Sequence, residues 1–196
     1  MRIISTRQQF IADHSSTNYL FYAAKPISQA SRAVVSKLSS HVDVGNRTAQ
    51  ITYHGDFADM GDERRKKFLQ HYDVEVRESY DWWTLSVMLE PKKLPEIHFE
   101  DYEVEDEASL TFEKQGPRIR LCFDSWNQDY SASYDELGED PMEGLAELGL
   151  QLRAELYAGK TEALDVMHDY CAERRILKGR KSPVAKQLAA ILEVVG

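Results

Sequence analysis

The sequence predicts an α+β fold, a mainly antiparallel sheet with helices on one face, followed by a C-terminal helical segment. Three observations carry this prediction. Short runs of strand character recur between residues 18 and 125, separated by turn signals. Only two helix-like segments interrupt them. Beyond Pro141 the apolar residues change to spacings of three and four. The same divisions give an α+β domain over 1–125, a polar linker over 126–141, and a helical tail over 142–196 packed on the domain or on a partner.

The elements follow in order. Asn18 to Ala24 is apolar and aromatic, as a buried strand would be. Pro26 and Ser28 offer a helix start, and Ala30, Val34, Val35 and Leu38 share one face of a helix ending near Ser39 and Ser40. Thr48 to Tyr53 reads as a strand. HGDFADMGDE breaks it, with Asp62 as the cap of a short helix containing Arg64 to His71. In that break GDF has a structural role: Gly55 gives backbone freedom, Asp56 bonds local amides and Phe57 anchors the loop. Asp73 to Glu78 alternates, Val74 and Val76 on one face, Glu75 and Arg77 on the other. Trp82 to Leu89 does the same with Trp83, Leu85, Val87 and Leu89. The tetrapeptide ESYD between them suits a hairpin. Pro91 and Pro95 stop any continuation. Two more strands, Ser109 to Glu113 and Arg118 to Asp124, flank the turn at Gln115, Gly116 and Pro117; they extend the sheet or form a small hairpin of their own. In the tail, Leu145, Leu148, Leu152 and Leu156 form one stripe. Ala163, Leu164, Met167, Tyr170, Cys171 and Arg174 form a second, and Val184, Ala185, Leu188, Ile191, Leu192 and Val195 a third. Gly159 and Gly179 fall at the expected stops.

Composition narrows the function. The 196 residues are 42% apolar and 29% charged, a globular balance. No apolar run reaches the roughly 20 residues of a bilayer span, and MRIISTRQQF lacks a secretory core, so the expectation is a cytoplasmic protein with no membrane partner. Two cysteines, Cys122 and Cys171, cannot make a four-thiolate zinc site and read as buried thiols. GxxxxGK[ST], GxGxxG, GxSxG, HExxH and EF-hand patterns are all missing. No cofactor or metal is therefore expected.

The net charge is −9, and its distribution says more than its sum. Residues 90–147 hold 5 Lys/Arg and 17 Asp/Glu, a net of −12 that accounts for the whole deficit. The densest part runs from Glu96 through Glu100, Asp101, Glu103, Glu105 and Asp106 to Glu107, with no Lys or Arg and with Ile97, Phe99, Tyr102 and Val104 between. Such a strip is a solvated edge or a docking surface for a basic partner. Two basic clusters, Arg64, Arg65, Lys66 and Lys67 and then Arg174, Arg175, Lys178, Arg180 and Lys181, would make a phosphate-binding patch if the fold joined them. Tyr80, Trp82 and Trp83 suit base stacking or hairpin packing. His54, Asp56 and Asp59 have metal-ligand chemistry but match no spacing template, and Asp165 with His168 reads as a surface pair on a helix.

NYLFYAAKPIS, KLSSHVDV, ITYHGDF, FLQHYDVEVRESYDWWTLSVMLEP and LRAELYAGKTEAL together resemble a group of uncharacterised bacterial cytoplasmic proteins over about residues 18 to 170. The resemblance implies a shared fold and a bacterial cytoplasmic origin, and brings no catalytic residues. The function expected is a noncatalytic interaction or regulatory protein that uses the acidic strip and the helical tail to bind another protein. The alternatives are an enzyme with a site near His54 to Asp59 and nucleic-acid binding through the basic clusters.

Overall fold

The computed structural model describes residues 16–54, 59–79, 82–126, 140–173, 176 and 181–193. One antiparallel sheet organises them, with strand order β2-β3-β1-β4-β5-β8-β7-β6. The strands are β1 (Ser16–Tyr22), β2 (Asp43–Val44), β3 (Thr48–His54), β4 (Val74–Ser79), β5 (Trp82–Leu89), β6 (Val104–Glu105), β7 (Ser109–Gln115) and β8 (Arg118–Trp126). The helices are α1 (Gln29–Val35), α2 (Asp62–Phe68), α3 (Pro141–Tyr157), α4 (Glu162–Glu173) and α5 (Pro183–Glu193). The α+β class and the C-terminal helical segment are as the sequence predicts. Of the two arrangements the sequence allows for the β7–β8 hairpin, the structure has it extending the main sheet, β8 pairing with β5. Gly116, at φ 60°, takes the first position of its two-residue loop, a backbone shape that side chains resist.

Both sheet faces are covered, and the period of two decides by what. Leu20 and Tyr22 of β1, Val74 and Val76 of β4, and Trp83, Leu85, Val87 and Leu89 of β5 meet Leu145, Leu148, Leu152 and Leu156 of α3 in one cluster, which α4 and α5 complete. Tyr19 and Phe21, one residue out of phase, meet Phe68, Leu69 and Tyr72 on the opposite face, Phe21 stacking on Phe68 at 4.5 Å between ring centres. The two N-terminal helices thus share one face and the C-terminal helices take the other. The described positions of the three tail stripes are all buried; Arg174 and Val195 lie outside the described residues.

Some local expectations shift. In α1 only Val35 is buried, while Val34 is 49% exposed and Ala30 is exposed, and Leu38 lies half-buried past the helix end, because the helix stops after two turns and rests on the sheet at one point. Ser28 caps it, its side chain accepting from the N–H of Ser31 at 3.0 Å. Gly61, not Asp62, takes the cap position of α2, and Asp62 is spent on Lys66 and Arg120 instead. Strand β8 runs on to Trp126, into the expected linker. Gly55, Asp56, Phe57, Tyr80, Asp81 and Gly179 lie outside the described residues. Among the described residues, no helix is long and apolar enough to cross a membrane.

The approach of α3 to the sheet is set by Gly149. A Cβ there would sit 3.0 Å from both Leu85 Cδ1 and Val74 Cγ1. Overpacking of this kind costs roughly 1–3 kcal/mol, against the roughly 1 kcal/mol that alanine gains over glycine in a helix. Gly149→Ala should therefore be destabilised by about 1 kcal/mol net in urea denaturation. A variant more stable than wild type would mean that the two side chains yield freely.

Candidate functional site

The chain leaves β5 at Leu89, and Pro91 and Pro95 deny it a ladder, so it crosses the sheet end in two 3₁₀ turns, Pro91–Lys93 and Phe99–Asp101, before pairing briefly as β6. This crossing segment is the acidic strip. Ile97, Phe99, Tyr102 and Val104 are half-buried and pack against the main core. Glu96, Glu100, Asp101, Glu103, Glu105, Asp106 and Glu107 are all exposed. The alternation turns the apolar residues inward and leaves the carboxylates on one solvent-facing stretch. Glu100 titrates below the usual carboxylate range, held there by its own backbone N–H and by His98 3.3 Å away, against a small cost of burial. Glu100 is therefore ionised at neutral pH.

Beside the strip opens a cleft of about 580 Å³. Phe99 and Phe112 stack in its wall with ring centres 4.4 Å apart, and Pro91 and Ile119 add apolar surface. Glu100, Glu103, Lys114 and Arg118 supply its charged lining. Arg118 is already committed, donating to the carbonyls of Tyr72 and Leu69 and lying 3.8 Å from Asp73.

A second cleft, of about 500 Å³, lies where α3 crosses the end of β5. Its polar wall is a closed ionic node. Arg153 donates through Nε to Tyr157 Oη at 2.9 Å, and reaches Asp73 at 2.7 Å and Glu90 at 3.0 Å. Tyr157 Oη also accepts from the Glu90 N–H at 2.9 Å, and Lys93 pairs with Glu90 at 2.7 Å. Burial alone would lower Arg153, but Tyr157 and Asp73 outweigh it and hold the guanidinium charged. His71, also in the wall, is lowered by burial and by Arg118 and is neutral at pH 7. Every charge of the node has a partner inside it, so it fastens α3 to the sheet.

The remaining sequence candidates do not converge. His54 ends β3, exposed, 3.0 Å from Ser16 Oγ. Asp59 accepts from Tyr19 Oη, from the Met60 N–H at 2.6 Å and from Arg77 at 2.9 Å, which uses both its oxygens. Asp56 lies outside the described residues, among which no trio of His, Cys, Asp or Glu is placed to hold a metal ion. Of the first basic cluster, Arg65 is bound to Glu75 and Lys66 to Asp62 and Glu113, Arg64 lies 3.4 Å from Tyr53 Oη, and Lys67 is exposed. Lys181 precedes α5 on the opposite sheet face, and Arg174, Arg175, Lys178 and Arg180 lie outside the described residues. Trp83 is 1% exposed in the core, packed edge-on to Phe123, and out of reach of a base. His168 meets Tyr102 edge-on at 6.5 Å. Cys171 is buried, and burial together with Asp124 pushes the Cys122 thiol up to about 11, so it is unreactive at neutral pH. No protein-family model, curated protein or solved structure matches the chain.

Sequence reasoning found the carboxylates of the strip but not the cleft they border, because Phe99 and Phe112 belong to different elements and no spacing rule connects them. It also missed the Arg153 node. Arg153 stands among the leucines of α3, and a cation inside an apolar helix stripe was the available signal.

Proposed function

We propose that the protein is a noncatalytic interaction or regulatory protein of the bacterial cytoplasm whose acidic strip docks a cationic segment of another protein. The observation that supports this reading best is the pairing of seven exposed carboxylates with an adjoining apolar cleft of about 580 Å³. Charge on the strip steers a basic partner, and the cleft gives it an apolar residue to bury, the division of labour between rim and centre that protein interfaces use. The internal pairing of the Arg153 node and of Asp59 weighs against reading either as a reaction centre.

The test is kinetic. Neutralising Glu103, Glu105, Asp106 and Glu107 to Gln or Asn should slow association with a basic partner by on the order of tenfold at low salt. The two rates should converge as salt shortens the Debye length below about 8 Å. Melting should be unchanged, since exposed charges contribute little to stability. A partner recovered from the host cell and a Lys-rich synthetic peptide, each followed by stopped flow, give independent readings. Equal rates with equal salt dependence would return the strip to a solvated edge.

A further inference from the structure

The cleft has a third wall, an open strand edge. Strand β6 pairs with β7 only at Leu110 and Ser109, and among the described residues nothing extends that pairing along Thr111 to Gln115. In an antiparallel pair alternate residues turn their N–H and C=O away from the partner strand. The Phe112 N–H is one of these, because it donates to Glu103 Oε1 at 3.4 Å rather than to β8. Lys114, two residues on, has the same phase, and its backbone groups face solvent. The Glu103 carboxylate thus holds the place that the carbonyl of a further strand would take.

Resting on the docking reading above, we infer that the partner segment binds in extended form, adding a strand beside Phe112 to Lys114, seating an apolar side chain in the Phe99–Phe112 cleft and placing Lys or Arg over Glu100 to Glu107. Three features fit this occupant. Backbone donors and acceptors at a sheet edge that no neighbouring strand pairs give affinity through main-chain hydrogen bonds, and pockets for alternate side chains give selectivity. Stacked rings beside the edge form such a pocket. The strip's charge selects a cationic strand and opposes a second copy of this chain, which would bring the same carboxylates against their own kind. Lys114, nearer the turn at Gly116 than Phe112 is, sets polarity: the cationic end of the segment lies toward Glu103, which bonds the Phe112 N–H, and away from that turn.

The probe is a synthetic peptide alternating Lys or Arg with Val and Leu, tested against the full chain by amide NMR and titration. Binding should protect the Lys114 amide from exchange and shift the Phe99 and Phe112 ring signals. N-methylation of alternate peptide residues removes strand hydrogen bonds while keeping charge, and should weaken binding at least about tenfold. Lys114→Pro should weaken it similarly while Lys114→Ala does not, because proline at an outward-facing edge position deletes the free N–H without touching the β7–β8 ladder. If methylated and unmethylated peptides bind alike, yet the neutralised strip loses both, strand addition is wrong and the docking reading stands. If neither peptide binds, or both bind the neutralised strip as well as wild type, both readings fall. A Lys114 amide protected without peptide, in a chain that sediments as a dimer, would overturn the inference in favour of self-pairing.

Discussion

Replacing Glu75 with alanine should destabilise the protein by about 3–5 kcal/mol, the cost of leaving a buried charge unpaired. Glu75 is 0% exposed on β4, under α2. It accepts from Arg65 Nε at 2.6 Å and Nη2 at 3.0 Å, and from Arg120 Nη2 at 3.5 Å. The attraction of Glu75 outweighs the burial that would otherwise lower Arg65, so the guanidinium is held firmly charged. Arg120 is 5% exposed and also reaches Ser86 at 3.2 Å and Asp62 at 3.1 Å. Without the carboxylate, Arg65 can turn toward solvent, since its side chain keeps 15% exposure, but Arg120 stays enclosed with the half-exposed Asp62 as its one carboxylate. The energy at stake is the desolvation of Arg120, not the worth of the pair. A triple variant, Glu75→Leu with Arg65→Leu and Arg120→Met, should therefore regain most of the loss, because no buried charge remains. Urea denaturation at pH 7 measures both. A loss under about 1 kcal/mol for Glu75→Ala would mean that water reaches the cluster.

That cluster also shows where sequence reading stops. The alternation of Val74 and Val76 with Glu75 and Arg77 correctly assigns residues to opposite faces. A period of two says which side chains share a face, but not whether that face is wet. Glu75 looks like a solvent residue until Asp62 and Arg65 of α2 are laid over it, a placement that no local pattern in β4 records. Asp62 follows the same logic: its position before a helical run suits a cap, while its carboxylate is taken by Lys66 one turn on and by Arg120 from a strand far along the chain. The tail stripes were legible because helix periodicity needs only one apolar surface to meet, and the strip because a run of carboxylates with no Lys or Arg among them has few places to go. The cleft and the strand edge were not. Both are made by where β6 ends, and a two-residue strand leaves no periodic trace.

The second large effect is on pH dependence. Glu78, next to last in β4, lies on the face that carries Val74 and Val76, 8% exposed, opposite Asn18 of β1 and Trp83 of β5. Asn18 Nδ2 donates to it at 3.2 Å, and Thr52 donates to Asn18 Oδ1 at 2.8 Å, which fixes the amide with its NH₂ toward the carboxyl. Burial pushes Glu78 up from 4.5 to about 7, and the Asn18 hydrogen bond only partly opposes it. The folded state therefore holds this proton more tightly than the unfolded chain between these two values. Stability from this group is greatest below about 4.5, falls as pH rises toward 7, and stays low above it, a total change of about 3 kcal/mol at 1.36 kcal/mol per unit. Carboxylates such as Asp62 and Glu90, held low by Lys66 and Lys93, contribute the opposite slope at lower pH. The informative quantity is thus the difference between wild type and Glu78→Gln, which keeps the shape and an acceptor for Asn18 but cannot ionise. Near pH 4 the two should be similar. By pH 8 the variant should be the more stable by about 3 kcal/mol, the difference opening across the interval between the two pKa values. Denaturation at a series of pH values, with an NMR titration of the Glu78 carboxyl carbon, measures the energy and the pKa separately. A constant difference across that range would show that Glu78 ionises as an exposed carboxylate does, and that the end of β4 is open to water.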